Sequence, residues 1–175
     1  MAIIYPSIEK IQLLRQKPTE GEFNLLKFLK ETLDDTYEVF FQPFLNGDIP
    51  DIIIMRKGSG VYIIEVKDWD LDHYKVNERG NWFVKKNNGD SIRIKSPIKQ
   101  VFNYKENLYN LHIQGLLERR IKNPKNWGIV NCGVYFHNAS TKHCNNFIKN
   151  HLYKDDGTIK DKWSDKHQKF LTYFD

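Results

Sequence analysis

A domain in which helices flank a mixed β-sheet, of the α/β or α+β class, is predicted by three features of the sequence. Apolar residues recur at helical spacing just after residue 20. Short apolar and β-branched runs bounded by Gly and Asn turns fill residues 37–94. A second helical pattern opens at Ser96-Pro97 and leads to a further apolar run at 127–136. The order is helix, strands, helix, strand. With 175 residues, 40% hydrophobic and 14% aromatic, the chain fits one domain and can bury a core, which excludes wholesale disorder.

Residues 1–17 read as a short lead-in with a helical piece over 7–16, broken at Pro18-Thr19. Thr19 followed three residues later by Glu22 is a capping-box pattern. Phe23, Leu25, Leu26, Phe28, Leu29 and Leu33 follow at helical spacing, so a helix is expected over 20–33, ended by Asp34-Asp35. Residues 37–44 read as a strand and Asn46-Gly47-Asp48 as a turn. Runs 52–55 and 61–66, separated by Lys57-Gly58-Ser59-Gly60, predict a β-hairpin. Two short strands, 82–85 and 91–94, flank the turn at 86–90. Pro97 suits the first turn of a long helix reaching His112, with a second helix over 114–121. Asn123-Pro124 breaks the chain before a strand at 127–136. The polar tail after Phe136 has no assigned element, and its end at Asp175 without a stop signal reads as that of a fragment of a longer polypeptide.

The hairpin carries charge where a core strand should not. If residues 57–59 form its loop, Arg56 pairs with Gly60 and counting outward sets Asp51 opposite Glu65, with Glu65 and Lys67 on one face. A slip of one residue would break this arrangement. A surface hairpin with solvated ion pairs is the ordinary reading of a Glu-x-Lys. Here the VYII run before Glu65 is apolar on both faces, as in a central strand. Two facing carboxylates are costly unless a cation lies between them, and a hard divalent ion such as Mg²⁺ takes oxygen ligands. A nearby lysine can orient water and offset charge on a phosphate.

The net charge of +5 suits a polyanion, although many proteins are mildly basic without such a partner. Basic residues cluster at Lys85-Lys86, at Arg93-Lys95-Lys99 and at Arg119-Arg120-Lys122-Lys125. Two cysteines make no disulfide framework, the first residues lack the features of a signal peptide, and no apolar run reaches a membrane span. A cytoplasmic protein is therefore expected, with no membrane partner. Cys132, His137, His143 and Cys144 fit no zinc pattern, and Cys132 reads as a buried small hydrophobe. Trp69 reads as a core cap in preference to a base-stacking ring.

Pro50-Asp51 followed by Glu65-Val66-Lys67 resembles the signature of the PD-(D/E)xK nuclease superfamily. Gly21-Glu22, Gly80-Asn81-Trp82 and Ser96-Pro97-Ile98-Lys99-Gln100 resemble the flanking motifs of one branch, the nuclease-related domain (NERD). The resemblance covers residues 18–136, leaving 1–17 as lead-in and 137–175 as an extension. It implies an α/β restriction-endonuclease-like core and a Mg²⁺- or Mn²⁺-dependent nuclease, with DNA favoured over RNA as the nucleic acid. The chain is also similar to the NERD module that precedes a UvrD-like helicase, which implies a helicase domain on the same polypeptide and a role in DNA processing or defence. By the resemblance, Asp51, Glu65 and the Val66 carbonyl hold the metal, Lys67 is the catalytic lysine, and Glu22 approaches the metal directly or through water. Gln100 and Tyr104, spaced as in the Q-x-x-x-Y motif of RecB-type nucleases, face the substrate, with Lys95 and Lys99 beside them. Gln100 stands among the catalytic set as well. The acids Asp68, Asp70 and Asp72 depart from the family, which often has Asn and Gly there. They would repel phosphate or serve a second metal. The alternative reading is a catalytically inactive nucleic-acid-binding or partner-docking module on the same fold.

Overall fold

The computed structural model describes residues 1–154 and 156–158. A five-stranded mixed sheet forms the centre, in the order β1-β2-β3-β4-β8. Its strands are β1 (Ile3–Tyr5), β2 (Tyr37–Phe41), β3 (Ile52–Arg56), β4 (Gly60–Lys67) and β8 (Val130–Phe136). β3 is antiparallel to both β2 and β4, whereas the β1–β2 and β4–β8 pairs are parallel. The long connection that a parallel β4–β8 pair requires is supplied by the meander and helices between them.

Alternation along the strands divides the core into two layers. Ile52, Ile64 and Val66 pack with Leu25, Leu26 and Leu29 of helix α2 (Glu20–Thr32) and with Ile11 of helix α1 (Ile8–Gln12). Ile53, Ile63, Cys132 and Val134 face the other way, against Ile98, Val101 and Phe102 of helix α3 (Pro97–Asn107). Helices α4 (Leu116–Lys122) and α5 (Thr141–Phe147) add Leu116, Cys144 and Phe147 to that second layer. An antiparallel meander, β5 (Tyr74–Val76), β6 (Trp82–Lys85) and β7 (Ser91–Ile94), leans on it through Val76 and the buried Trp82.

Several boundaries differ from the sequence reading. The strand expected over 37–44 stops at Phe41, because Gln42 turns to a φ of 44°. The strand expected from 127 begins at Val130, because Pro124–Gly128 winds into a 3-10 turn that takes up residues 127 and 128. The long helix loosens into a π turn over Leu108–His112. Residues read as lead-in supply β1, the strand at one edge of the sheet, and the helical piece expected over 7–16 is the shorter α1. The tail left without an element supplies α5. The capping box holds: Glu22 N–H donates to Thr19 Oγ1 at 3.3 Å, and Thr19 N–H donates to Glu22 Oε2 at 2.6 Å.

The start of α2 is pressed against the ends of β4 and β8. Gly21 N–H donates to Asp68 Oδ2 at 3.2 Å, and a Cβ at Gly21 would meet the Asp68 carboxyl and lie 2.7 Å from His137 Cβ. Helix propensity alone favours Ala over Gly by about 1 kcal/mol. Gly21→Ala is nevertheless expected to lower the unfolding free energy by about 1–3 kcal/mol, since overpacking outweighs propensity. Urea denaturation of the two proteins measures the difference, and a stabilised variant would show that the contact yields at no cost.

Candidate active site

Arg56 pairs with Gly60 and Ile52 with Ile64, so the hairpin register continues to Asp51 opposite Glu65. Asp51 lies just beyond the last pair, where its Oδ2 accepts a hydrogen bond from Val66 N–H at 2.7 Å. In an extended strand the N–H and C=O of one residue point to the same side. The Val66 carbonyl is therefore turned toward the Asp51 edge of β4. Glu65 shares the α3-facing side with Ile63 and Lys67, and is only 1% exposed. Lys67 Nζ sits 2.5 Å from Glu65 Oε1 and retains access to solvent.

Helix α3 closes the site from one side. Pro97 starts it, and the Ser96 hydroxyl caps it by accepting from Lys99 N–H at 3.1 Å. One turn in, Gln100 Nε2 donates to Glu65 Oε1 at 2.6 Å and lies 3.2 Å from the Tyr104 hydroxyl. The Tyr104 hydroxyl donates in turn to the Ile49 carbonyl at 3.2 Å. The i, i+4 pair thus acts as one polar face, not as a solvated flank of an amphipathic helix. The loop it touches is built by Asn46-Gly47, whose positive φ values close a two-residue turn between Leu45 and Asp48. Asp48 accepts from Asn107 Nδ2 at 2.8 Å and lies 2.9 Å from His112 Nε2. The segment that presents Asp51 is therefore tied to α3 at Asp48 and Ile49. The π turn carries His112, and nothing in the sequence marked it for this contact.

Helix α2 closes the other side. Glu22 is 5% exposed, and beyond the capping box its Oε1 accepts from Gln42 Nε2 at 2.9 Å. Gln42 N–H donates in turn to the Asp51 carbonyl at 2.9 Å. Gln42 went unrecognised in the sequence because it reads as one more residue of strand 37–44. A non-glycine residue at positive φ costs about 1–3 kcal/mol and tends to occur at functional sites.

Burial and the neighbouring Glu65 push the Asp51 carboxyl up to about 7, against the pull of Val66 N–H and Lys67. Burial also raises Glu65, against the lowering effects of Lys67 and Lys95. Glu65 Oε2 is buried with no hydrogen-bond partner among the described residues. A buried carboxylate oxygen without a donor, beside a second carboxyl held partly protonated, is a donor set that a hard divalent ion fits. Asp51, Glu65 and the Val66 carbonyl are the groups available to it. Both Glu22 oxygens are already hydrogen-bonded, so its contact with such an ion would come at the expense of the capping box or Gln42. Among the described residues no three His, Cys, Asp or Glu side chains group as a ready metal shell, so waters would complete the coordination.

The acids after Lys67 point elsewhere. Asp68 holds the start of α2, Asp70 caps the following 3-10 turn and pairs with His73, and Asp72 lies 3.0 Å from His143. Trp69 is stacked on Tyr74 at 4.3 Å and tilted against Trp82 and Phe136, so it is a packing residue, with Lys67 Nζ 5.7 Å from its ring. Cys132 is buried and its thiol is pushed up to about 12 by that burial, and His137 bonds Asn24 and Tyr135. Lys95 and Lys99 are exposed beside the opening of α3.

A mixed sheet of this order flanked by helices, with a half-buried Asp51, a buried Glu65 and a lysine at the end of its central hairpin, is consistent with a restriction-endonuclease-like α/β core. The family model of the nuclease-related domain, NERD, matches residues 17–137, and the chain belongs to that family. No curated protein and no solved structure matches it. Among the described residues no helix is long and apolar enough to cross a membrane.

An acid whose pKa is raised on folding stabilises the fold at low pH. For Asp51 the contribution is complete below its ordinary 3.8 and is lost as pH climbs through about 7. Asp51→Asn keeps an acceptor for Val66 N–H and removes the charge. In EDTA at pH 8 the variant is expected to melt about 5 °C above the parent, with the gap shrinking toward pH 4. Thermal scans across this range measure it, and a gap that widens on acidification would contradict the assignment.

Proposed function

We propose that this nuclease-related domain hydrolyses phosphodiester bonds in DNA, with Mg²⁺ or Mn²⁺ held by Asp51, Glu65 and the Val66 carbonyl. The observation that carries the reading is Glu65 Oε2, a buried carboxylate oxygen without a donor, next to a carboxyl that burial keeps from ionising fully. When bound, the ion would polarise a phosphate oxygen and acidify its water. Lys67 supplies a positive charge to the phosphate as negative charge develops on it, and orients the attacking water. Gln100 fixes the Glu65 carboxylate, and Tyr104 fixes Gln100. Glu22 adds a negative charge from α2. Lys95 and Lys99 hold flanking phosphates. A helicase-like region on the same polypeptide belongs to this proposal and rests on the resemblance alone.

The second reading, an inactive nucleic-acid-binding or docking module, is favoured by the lack of a third grouped ligand among the described residues. One experiment separates the two. The purified chain is incubated with plasmid, linear DNA and RNA in Mg²⁺, Mn²⁺ or EDTA, alongside Glu65→Ala and Lys67→Ala. Cleavage of DNA is expected with either ion and none in EDTA, and each variant is expected to lose about 100-fold or more. Binding without metal-dependent cutting supports the second reading, and cutting that persists in both variants places the chemistry elsewhere.

A further inference from the structure

The β5–β6–β7 meander has an inner and an outer face. Tyr74, Val76, Trp82 and Ile94 belong to or pack against the second core layer. The register sets Lys75 beside Phe83 and Phe83 beside Arg93, in one row across the three strands on the opposite face. Phe83 is half-buried and belongs to neither core layer, whereas Lys75 and Arg93 are exposed. The row is thus an aromatic ring flanked by two cations, with Lys85 two residues further along β6 on the same face. Arg93 is steadied by donating to Asn81 Oδ1 at 2.6 Å. Residues 74–99 hold seven basic and two acidic residues, a net of +5 that equals the formal charge of the whole chain. The rest of the protein is therefore neutral on balance, and its basic excess lies in this one segment.

We propose that the outer face of the meander binds a single strand of DNA, with a base stacked on Phe83 and phosphates held by Lys75 and Arg93. Three adjacent strands span about 10 Å, the scale of one nucleotide with its flanking phosphates. A ring lying on a sheet can stack only on an unpaired base, which selects single-stranded over duplex DNA. The choice of DNA over RNA rests on the nuclease reading, since a base plane and phosphates are common to both. The strand is led toward the carboxylates, since Lys95 follows β7 directly and its charge acts on Glu65. Trp69, stacked on Tyr74 of β5 and close to Lys67, joins the meander to the catalytic lysine. The destination of the strand rests on the nuclease reading, whereas the binding itself does not.

The test is fluorescence anisotropy of a labelled oligothymidine on the full chain in EDTA, where cutting plays no part. Duplex DNA of equal length and an oligouridine run as comparisons. Phe83→Ala is expected to weaken oligothymidine binding about tenfold, with Phe83→Trp restoring it and duplex affinity unchanged. Arg93→Glu and Lys75→Glu are each expected to flatten the dependence of log affinity on log salt by about 0.7 or more. Circular dichroism melts verify that the variants fold. Wild-type affinity in Phe83→Ala and Arg93→Glu, a preference for oligouridine, or equal displacement by polyglutamate would overturn the proposal. A chain that binds in this way and never cuts defeats the nuclease reading alone. One that cuts while Phe83→Ala binds normally defeats this inference alone.

Discussion

The register of β3 against β4 is the constraint on which the rest of the site depends. Pairing Arg56 with Gly60 sends Asp51 and Glu65 to the same end of the hairpin, and the hydrogen bond from Val66 N–H to Asp51 extends that register past the last paired residues. A shift of one residue would turn Glu65 and Lys67 into the apolar layer of Leu25, Leu26 and Leu29. The apolar alternation resists such a slip. Ile64 and Val66 are matched to α2, and Ile63 is matched to α3, so the two apolar layers fix which way the charges face. Packing and chemistry are thus the same fact at this point of the chain.

Holding two carboxyls at a protein interior is unfavourable, and the surrounding contacts show how the fold tolerates it. The loop before Asp51 is tied to α3 through Asp48 and Ile49, and the backbone of Asp51 is tied to β2 through Gln42. Glu22 is tied to Gln42 and to its own helix cap. Glu65 Oε1 is held by Gln100 of α3, whereas Glu65 Oε2 is buried without a donor among the described residues. Within this pair of carboxyls the polar network is left incomplete there, and local incompleteness inside an otherwise consistent fold is a usual mark of a functional site.

The legible part of this architecture was the part governed by local rules. Capping residues at Thr19 and Ser96, the Asn46-Gly47 turn, and the hairpin count from Arg56 to Gly60 all act over a few residues, and each appears in the structure as the sequence predicts. The Gln100–Tyr104 pair was legible because i, i+4 neighbours share a helix face. What escaped were contacts made by tertiary packing. Gln42 leaves its strand through a backbone angle that glutamine rarely adopts. His112 reaches Asp48 across 64 positions from a π turn. The short β1 joins the sheet only because β2 is there to receive it.

The acids after Lys67 show why composition near a site can mislead. Counted along the chain, Asp68, Asp70 and Asp72 crowd the lysine with three negative charges. In the fold, β4 ends at Lys67 and the chain leaves the sheet, so the spacing of two that unites Glu65 with Lys67 no longer applies. Asp68 is turned to the α2 cap, where the space for its carboxyl exists because residue 21 is glycine. Asp70 and Asp72 serve a 3-10 turn and His143. The Gly21-Glu22 pair therefore has two separate physical roles. The glycine makes room for one carboxylate, Asp68, and so lets the helix approach the sheet end. That approach brings the other carboxylate, Glu22, close enough for its charge to act on Asp51 and Glu65.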